Sequence, residues 1–487
     1  MAKKRLQILI STLLLTAVTL SAQGYKIGIN APDFAGKQII IAEYFTSRMV
    51  PKDTLDLNIL GTGTFSGEEA FDGGLYVLYF DQGHFFDFMI GDDQEFKIRV
   101  DSTDFTKLTK FEGSEDNQLF FKYKSFLSEK RTAQQGFAQG LKDTSSAKDS
   151  ARIRKEIDAL NLEMKDFTNN MIDSNPDLFV TTFLKAMKEV KAPKEVLVGT
   201  DRQKDSIQYM YYKNHYFDYF NISDLRLLHT PIYEPKIKTF INRVAFQHPD
   251  SLIVSVDFLL EKSRSDEALF RYMLITLFNN FAESKMMGMD KVYFHIAQKY
   301  YIPEATWSSP EFIEELKQNY EKTKLTFIGN TAPNFVLKRL PKDHFIMAQM
   351  DTAIKRDPHI GSDFFMYQVK AEFTLIYFWE ADCGHCKKST PALYEVFEKY
   401  KDQGVQVIAV HVINSVEGKE KWVNFVNEYE IYDWINCWSP YNNDFRNSYN
   451  LNSFPQLFLL DKDKIIKAKN ISAEQADSIL ENLIETK

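Results

Sequence analysis

The segment Thr374–Pro391, TLIYFWEADCGHCKKSTP, constrains this chain more than any other. Thr374–Trp379 is a near-continuous apolar run of strand type, and a short turn after it delivers Cys383-Gly384-His385-Cys386. A helical pattern begins at once, with Leu393, Val396, Phe397 and Tyr400 on one stripe. A Cys-x-x-Cys at a strand-to-helix junction points to redox chemistry. The N–H groups of a first helical turn lack intrahelical partners and carry partial positive charge, so they stabilise a thiolate placed there. The spacing lets the second sulfur reach the first and close a small disulfide ring. Pro391 falls inside the helix and predicts a kink.

The chain has 487 residues and a net charge of −8. That length asks for two to four domains. The acidic balance and the lack of a basic patch argue against nucleic acid as a partner. There is no zinc-finger spacing and no phosphate-binding glycine loop, so no cofactor and no metal is expected. Lys3, Lys4 and Arg5, the apolar run Leu6–Leu20, and Ser21-Ala22-Gln23 read as a secretory signal peptide over residues 1–22. The rival is an uncleaved N-terminal membrane anchor. The mature chain is therefore expected to be exported, periplasmic and soluble. A disulfide framework for an exported chain of this size would use more than the three cysteines present, Cys383, Cys386 and Cys437. Other readings of the pair are an inert structural disulfide or half a zinc site, which would need two more ligands. Cys437, in Ile435-Asn436-Cys437-Trp438, reads as a packing thiol, with a further redox or intermolecular role as the alternative.

Residues 23–115 read as an all-β sandwich. Gln38–Phe45, Leu75–Phe80, Phe86–Ile90 and Glu95–Val100 are strands, and Gly61-Thr62-Gly63, Gly73-Gly74 and Gly91-Asp92-Asp93 are turns. His84 is isolated and reads as a surface histidine. Residues 116–326 read as an all-α region. Leu119–Lys130 opens it, and polar Thr132–Lys148 reads as a mobile loop. Ile153, Ile157, Leu160, Met164, Phe167 and Met171 form one helical stripe. Asn175-Pro176 restarts the chain, and further helices are predicted at Glu234–Gln247, Asp250–Lys262, Glu267–Lys285 and Ser309–Lys324. The aromatic-dense stretch Tyr209–Leu228 reads as core, with a partner-binding surface as the alternative. Residues 327–487 read as an α/β domain. A polar loop over Pro341–Ser362 leads into strand, helix, strand, helix, strand, strand, helix, with helices on both faces of a mixed sheet.

The segment FWEADCGHCKKSTP resembles the active-site segment of exported thioredoxin-like thiol-disulfide oxidoreductases of the TlpA/ResA type. Phe378-Trp379, Pro391 and Phe454-Pro455 match the family's Phe-Trp, kink proline and cis-proline. Ile328–Leu337, IGNTAPNFVL, resembles the opening of those domains, with Asn334 where Asp is common. The signal peptide, β domain and helical region resemble longer members with extra N-terminal domains. The resemblance implies an enzyme in which Cys383 attacks a client disulfide and Cys386 resolves the mixed disulfide. Pro455 would sit against the pair, leaving the backbone of Phe454 free to meet an extended client. Gly384 and His385 would tune the couple, since a cationic His385 favours the thiolate and a more oxidising disulfide. The implied partners are protein thiols or disulfides and an upstream thiol donor, which could be membrane-bound. The direction is reduction or isomerisation. The sequence departs from the family in three places. Asp382 replaces a Trp and would oppose His385. Tyr377 stands where a buried carboxylate handles the second cysteine's proton, and Ser389 stands where a Glu is common. The reading from another class is a redox-sensing binding or scaffold protein with a vestigial thioredoxin domain.

Overall fold

The computed structural model describes residues 24–144, 146–440 and 444–485. The signal peptide read over residues 1–22 lies outside them. The chain divides into two compact units, Met1–Ala245 with Glu261–Leu269, and Phe246–Leu260 with Phe270–Lys487. The stretch read as one helical domain, 116–326, is therefore shared between two units.

In the first unit, among the described residues, eight strands make two four-stranded sheets. The strands are β1 (Tyr25–Asn30), β2 (Gln38–Phe45), β3 (Arg48–Asp56), β4 (Thr62–Gly67), β5 (Gly74–Asp81), β6 (His84–Ile90), β7 (Glu95–Arg99) and β8 (Lys110–Glu112). Their orders are β4-β1-β7-β8 and β3-β2-β5-β6. The period of two in β7 is real: Phe96 and Ile98 are buried, Lys97 and Arg99 exposed. β3 has no buried face and so gives no hydrophobic signal. In Gly61-Thr62-Gly63 only Gly61 is a turn residue, with φ +71. Gly63 lies in β4, where a Cβ would come within 2.8 Å of Leu55 Cδ2. Buried Glu43 is held by the Lys52 ammonium at 2.8 Å and by His229 Nδ1 at 2.7 Å. Glu43, Asp72 and His229 offer metal-type ligand atoms close together, but the Lys52 ammonium already supplies the positive charge that Glu43 needs.

The polar stretch Thr132–Lys148 is not a loop. Helix α1 (Glu115–Asp143) covers most of it, and α2 begins at Ala147 and runs to Ser174. Ala133, Gln134, Gln135, Ala138, Gln139 and Leu141 are good helix formers. Stacking of Phe126 on Phe167 at 3.8 Å and the Lys130–Glu163 ion pair hold the two helices together. Asn175 caps the end of α2, and α3 (Phe179–Ala186) starts later than Asn175-Pro176 suggests. Tyr216 and Phe220 are buried while Tyr209 and Tyr219 stay partly open, so the aromatic stretch is chiefly core.

The second unit contains α4 (Met289–Ile296) and α5 (Pro310–Thr323), the latter N-capped by Ser309 as its sequence predicts. Its seven-stranded sheet has the order β10-β9-β13-β12-β11-β14-β15. The strands are β9 (Val336–Arg339), β10 (Ser362–Phe365), β11 (Phe373–Trp379), β12 (Val405–His411), β13 (Ile435–Trp438), β14 (Gln456–Asp461) and β15 (Ile466–Lys469). The predicted series begins at β11 and lacks β13; β9 and β10 lie ahead of it, and each of the three is only four residues long. The stretch Pro341–Ser362 is not simply a loop either. It carries short helices at Lys342–Met347 and Thr352–Arg356, because Phe345 and Ile354 are buried in the core.

β11 is buried along its whole length and pairs in parallel with β12 and antiparallel with β14. Its pleat sends Leu375, Tyr377 and Trp379 to one core and Ile376 and Phe378 to the other. Helices α6 (Gly384–Tyr400), α7 (Val416–Tyr429) and α8 (Ala473–Glu485) all contribute to the first core. The predicted cover of helices on both faces is thus lopsided. β11, β12 and β13 lie in sequence order, so two right-handed crossovers in the same direction put α6 and α7 on one face. The other face is packed by Phe335, Phe445 and Tyr449, from a loop and from the region of the short helix Asp444–Ser448. Among the described residues, no helix is long and apolar enough to cross a membrane.

Candidate active site

β11 ends at Trp379, and the turn after it sets Cys383 as the N-cap of α6. Cys383 Sγ accepts the Cys386 backbone N–H at 3.3 Å. The same sulfur lies 3.4 Å from the carbonyl oxygen of Phe454, to which its S–H donates. The Phe454–Pro455 peptide is cis. The sulfur is therefore held between a helix N-terminus and the backbone just ahead of β14. The two sulfurs are not bonded to each other; Cys383 is partly exposed and Cys386 fully buried. Burial pushes the Cys386 thiol well above its ordinary range, and its hydrogen bond with Cys383 adds to the rise. Pro391 lies inside α6, in the second turn after the motif.

Gly384 and His385 sit on the exposed first turn. A Cβ at Gly384 would meet open space, so no close approach demands glycine there. His385 lines a groove of about 740 Å³ with Lys388, Phe454, Pro455 and Gln456. The loop from Asn470 to Gln475, where α8 begins, forms its far wall. Asp382 does not face the pair alone. Its exposed carboxylate lies 2.7 Å from Lys421 Nζ on α7, which also meets Glu417 at 2.9 Å. Lys421 holds the Asp382 carboxyl below the usual carboxylate range.

Hydroxyls stand where the resemblance implies carboxylates. The Tyr377 hydroxyl lies 2.7 Å from Ser389 Oγ and 3.2 Å from Thr390 Oγ1. The Cys386 carbonyl accepts from Thr390 Oγ1 at 2.9 Å and from the Ser389 and Tyr377 hydroxyls at 3.3 Å. Burial pushes the Tyr377 hydroxyl far up, so it stays protonated. Glu380 faces Arg446 at 3.7 Å, and that guanidinium also lies over the Phe454 ring at 5.2 Å. His411 packs on Trp379, centroids 5.1 Å apart, and burial lowers its pKa to about 3, so it is neutral.

The fold thus brings Cys383, Cys386, His385, Phe454 and Pro455 together and turns Asp382 toward Lys421. Sequence reading missed Lys421, Arg446, Thr390 and His411. Lys421 and Arg446 carry no motif and arrive from elements well beyond the Cys-x-x-Cys, so no local signal announces them.

A thiol-disulfide oxidoreductase ResA from Geobacillus kaustophilus is 30% identical over 148 residues, covering 30% of this chain and 70% of that protein. The chain belongs to the thioredoxin-like thiol-disulfide oxidoreductases. A ResA from Bacillus cereus is 27% identical over 158 residues, with 32% of this chain and 77% of the relative covered. The sequence family described as thioredoxin-like matches residues 371–466 of this oxidoreductase, and a domain of unknown function (DUF5106) matches residues 163–324. A solved domain of a possible thiol-disulfide isomerase from Cytophaga hutchinsonii is 30% identical. It covers 33% of this chain and 97% of that one, with a TM-score of 0.27.

Proposed function

We propose that this oxidoreductase is exported and exchanges disulfides with protein clients through its CGHC motif, as a reductase or isomerase. The observation that carries the reading is the unequal placement of the two sulfurs. Cys383 is partly exposed, on the Cys386 N–H and beside the Phe454 carbonyl, whereas Cys386 is buried behind it. In reduction, the Cys383 thiolate attacks one sulfur of a client disulfide, and the other leaves as a thiolate that takes up a proton. Cys386 then loses its proton and attacks Cys383 Sγ, releasing the second client thiol. The client gains two electrons and two protons, and Cys383–Cys386 becomes the disulfide. An upstream thiol donor, membrane-bound or soluble, returns the electrons. In isomerisation the client's own thiolate displaces Cys383, and no net electrons move.

His385 on the exposed first turn and Pro455 against Cys383 act in this reading as tuning and positioning residues, with Asp382, Gly384 and Phe454 around them. The β-sandwich-like region over 23–115 and the helical stretch over 116–326, which the two compact units share, are additions to the thioredoxin-like domain over 327–487. Export rests on Lys3–Arg5 and the apolar run Leu6–Leu20; a mature chain whose mass begins at Gln23 is the expected result.

The test is turnover of a disulfide-bonded protein by wild type and by Cys383→Ala. Wild-type activity should exceed the variant's, and Cys386→Ser should trap clients as mixed disulfides. Equal activity in wild type and Cys383→Ala would favour the binding or scaffold reading.

A further inference from the structure

The groove beside Cys383 does not end at the thioredoxin-like domain. Asn470, Ile471, Glu474 and Gln475 line it, and the same four residues line a second hollow of about 610 Å³. The opposite wall of that hollow is Ser284–Gly288, the turn that leads into α4. Gly288 has φ +84, a conformation that favours glycine, and N-caps α4. Behind it, Lys469 of β15 pairs with Asp290 and lies over the Phe327 ring at 5.5 Å. The Lys469 side chain is only 8% exposed, so this pair fastens the turn to the sheet edge. The fastened turn presents Met286 and Met287, which are 53% and 45% exposed. Ile471 and Ile479 are partly buried on the facing wall. Two adjacent exposed methionines on a pinned turn are out of place in a purely structural role, because they leave apolar surface in water.

We propose that these hollows form one client trench, and that Met286 and Met287 are a shelf for an apolar side chain of the client polypeptide. The occupant is an extended segment of the disulfide-bearing client, with its cysteine at Cys383 and an apolar residue several positions away. Continuity with the groove at Pro455 argues for this occupant, since a chain leaving Cys383 along that groove runs onto the shelf. An extended chain covers about 3.3–3.6 Å per residue, so a short segment spans both hollows. Methionine suits such a shelf, because its unbranched, polarisable thioether adapts to different apolar partners. The proposal rests on the disulfide-exchange reading and names a determinant of client choice within it.

The experiment uses the full mature chain and a set of peptide disulfides. Each peptide carries one leucine, placed three to ten residues before or after its cysteine, and is compared with the same peptide carrying aspartate there. At one register the wild type should prefer leucine by about tenfold in kcat/KM, through KM. Met286→Asp/Met287→Asp should bring that ratio to about one, and Met286→Leu/Met287→Leu should keep it, which guards against loss through misfolding. A wild-type ratio near one at every register, or a preference that survives the aspartate pair, overturns the shelf while leaving disulfide exchange standing. Wild-type turnover no greater than that of Cys383→Ala on every peptide removes the exchange reading and the shelf with it.

Discussion

Cys386 and Cys437 are both fully buried in the same domain, on opposite faces of one sheet. Burial pushes both thiols well up. By exposure and acidity alone they would be judged alike. Their surroundings differ. Cys437 lies in β13, opposite Val410 of β12, among apolar side chains. Cys386 lies in the first turn of a helix; its N–H reaches a second sulfur and its carbonyl gathers three hydroxyls. What makes a buried thiol a redox partner is another sulfur held at a helix N-terminus, one turn away.

The largest effect expected from this contrast is on turnover. Cys386→Ala should lower reductase turnover of a protein disulfide by at least about a thousandfold, since the mixed disulfide is no longer resolved. Cys437→Ala should stay within about twofold of wild type, because a packing thiol touches no reacting atom. A comparable loss in both variants would break the distinction. A smaller effect sharpens it. A free thiol begins to lose its proton near pH 8.5, but the buried Cys437 keeps its proton in the folded state. Above that pH the unfolded chain binds fewer protons, so stability falls as pH rises, by up to ~1.4 kcal/mol per pH unit for each such thiol. Cys437→Ala should remove one such contribution. Urea unfolding of the reduced protein from pH 7.5 to 10 should show a shallower decline for the variant. Parallel declines would mean that Cys437 titrates alike in both states.

The candidate site is legible in the sequence because its parts are local or carry their own signature. Cys383, Cys386 and Pro391 lie on one strand-turn-helix segment, and Phe454-Pro455 precedes a clear hairpin. Apolar runs locate β2, β5, β6 and β11 and a period of two locates β7, because each buries apolar side chains. β3 was lost because it buries none, and β13 because four buried residues make no period. The end of α1 looks like a loop in the sequence because it is polar. Gln and Ala sustain a helix when its partner helix supplies the contacts. Lys421 was invisible for another reason. Its pairing with Asp382 exists only after β12 and the α7 crossover have brought the two together.

The smallest effect tests how far the hydroxyls around Cys386 stand in for a carboxylate. Tyr377→Phe removes one of three donors to the Cys386 carbonyl and leaves Ser389 and Thr390 in place. The change should cost about 1 kcal/mol in urea unfolding, the net worth of a buried hydrogen bond. Because burial holds the Tyr377 hydroxyl protonated, its phenolate is not available as a base at neutral pH. Turnover should therefore change by no more than about threefold, with the alkaline limb of its pH profile in place. A tenfold loss with a displaced alkaline limb would instead give Tyr377 the Cys386 proton to move. The hydroxyl network would then be part of the exchange chemistry, and Cys386 would differ from Cys437 in its proton path as well as in its partner sulfur.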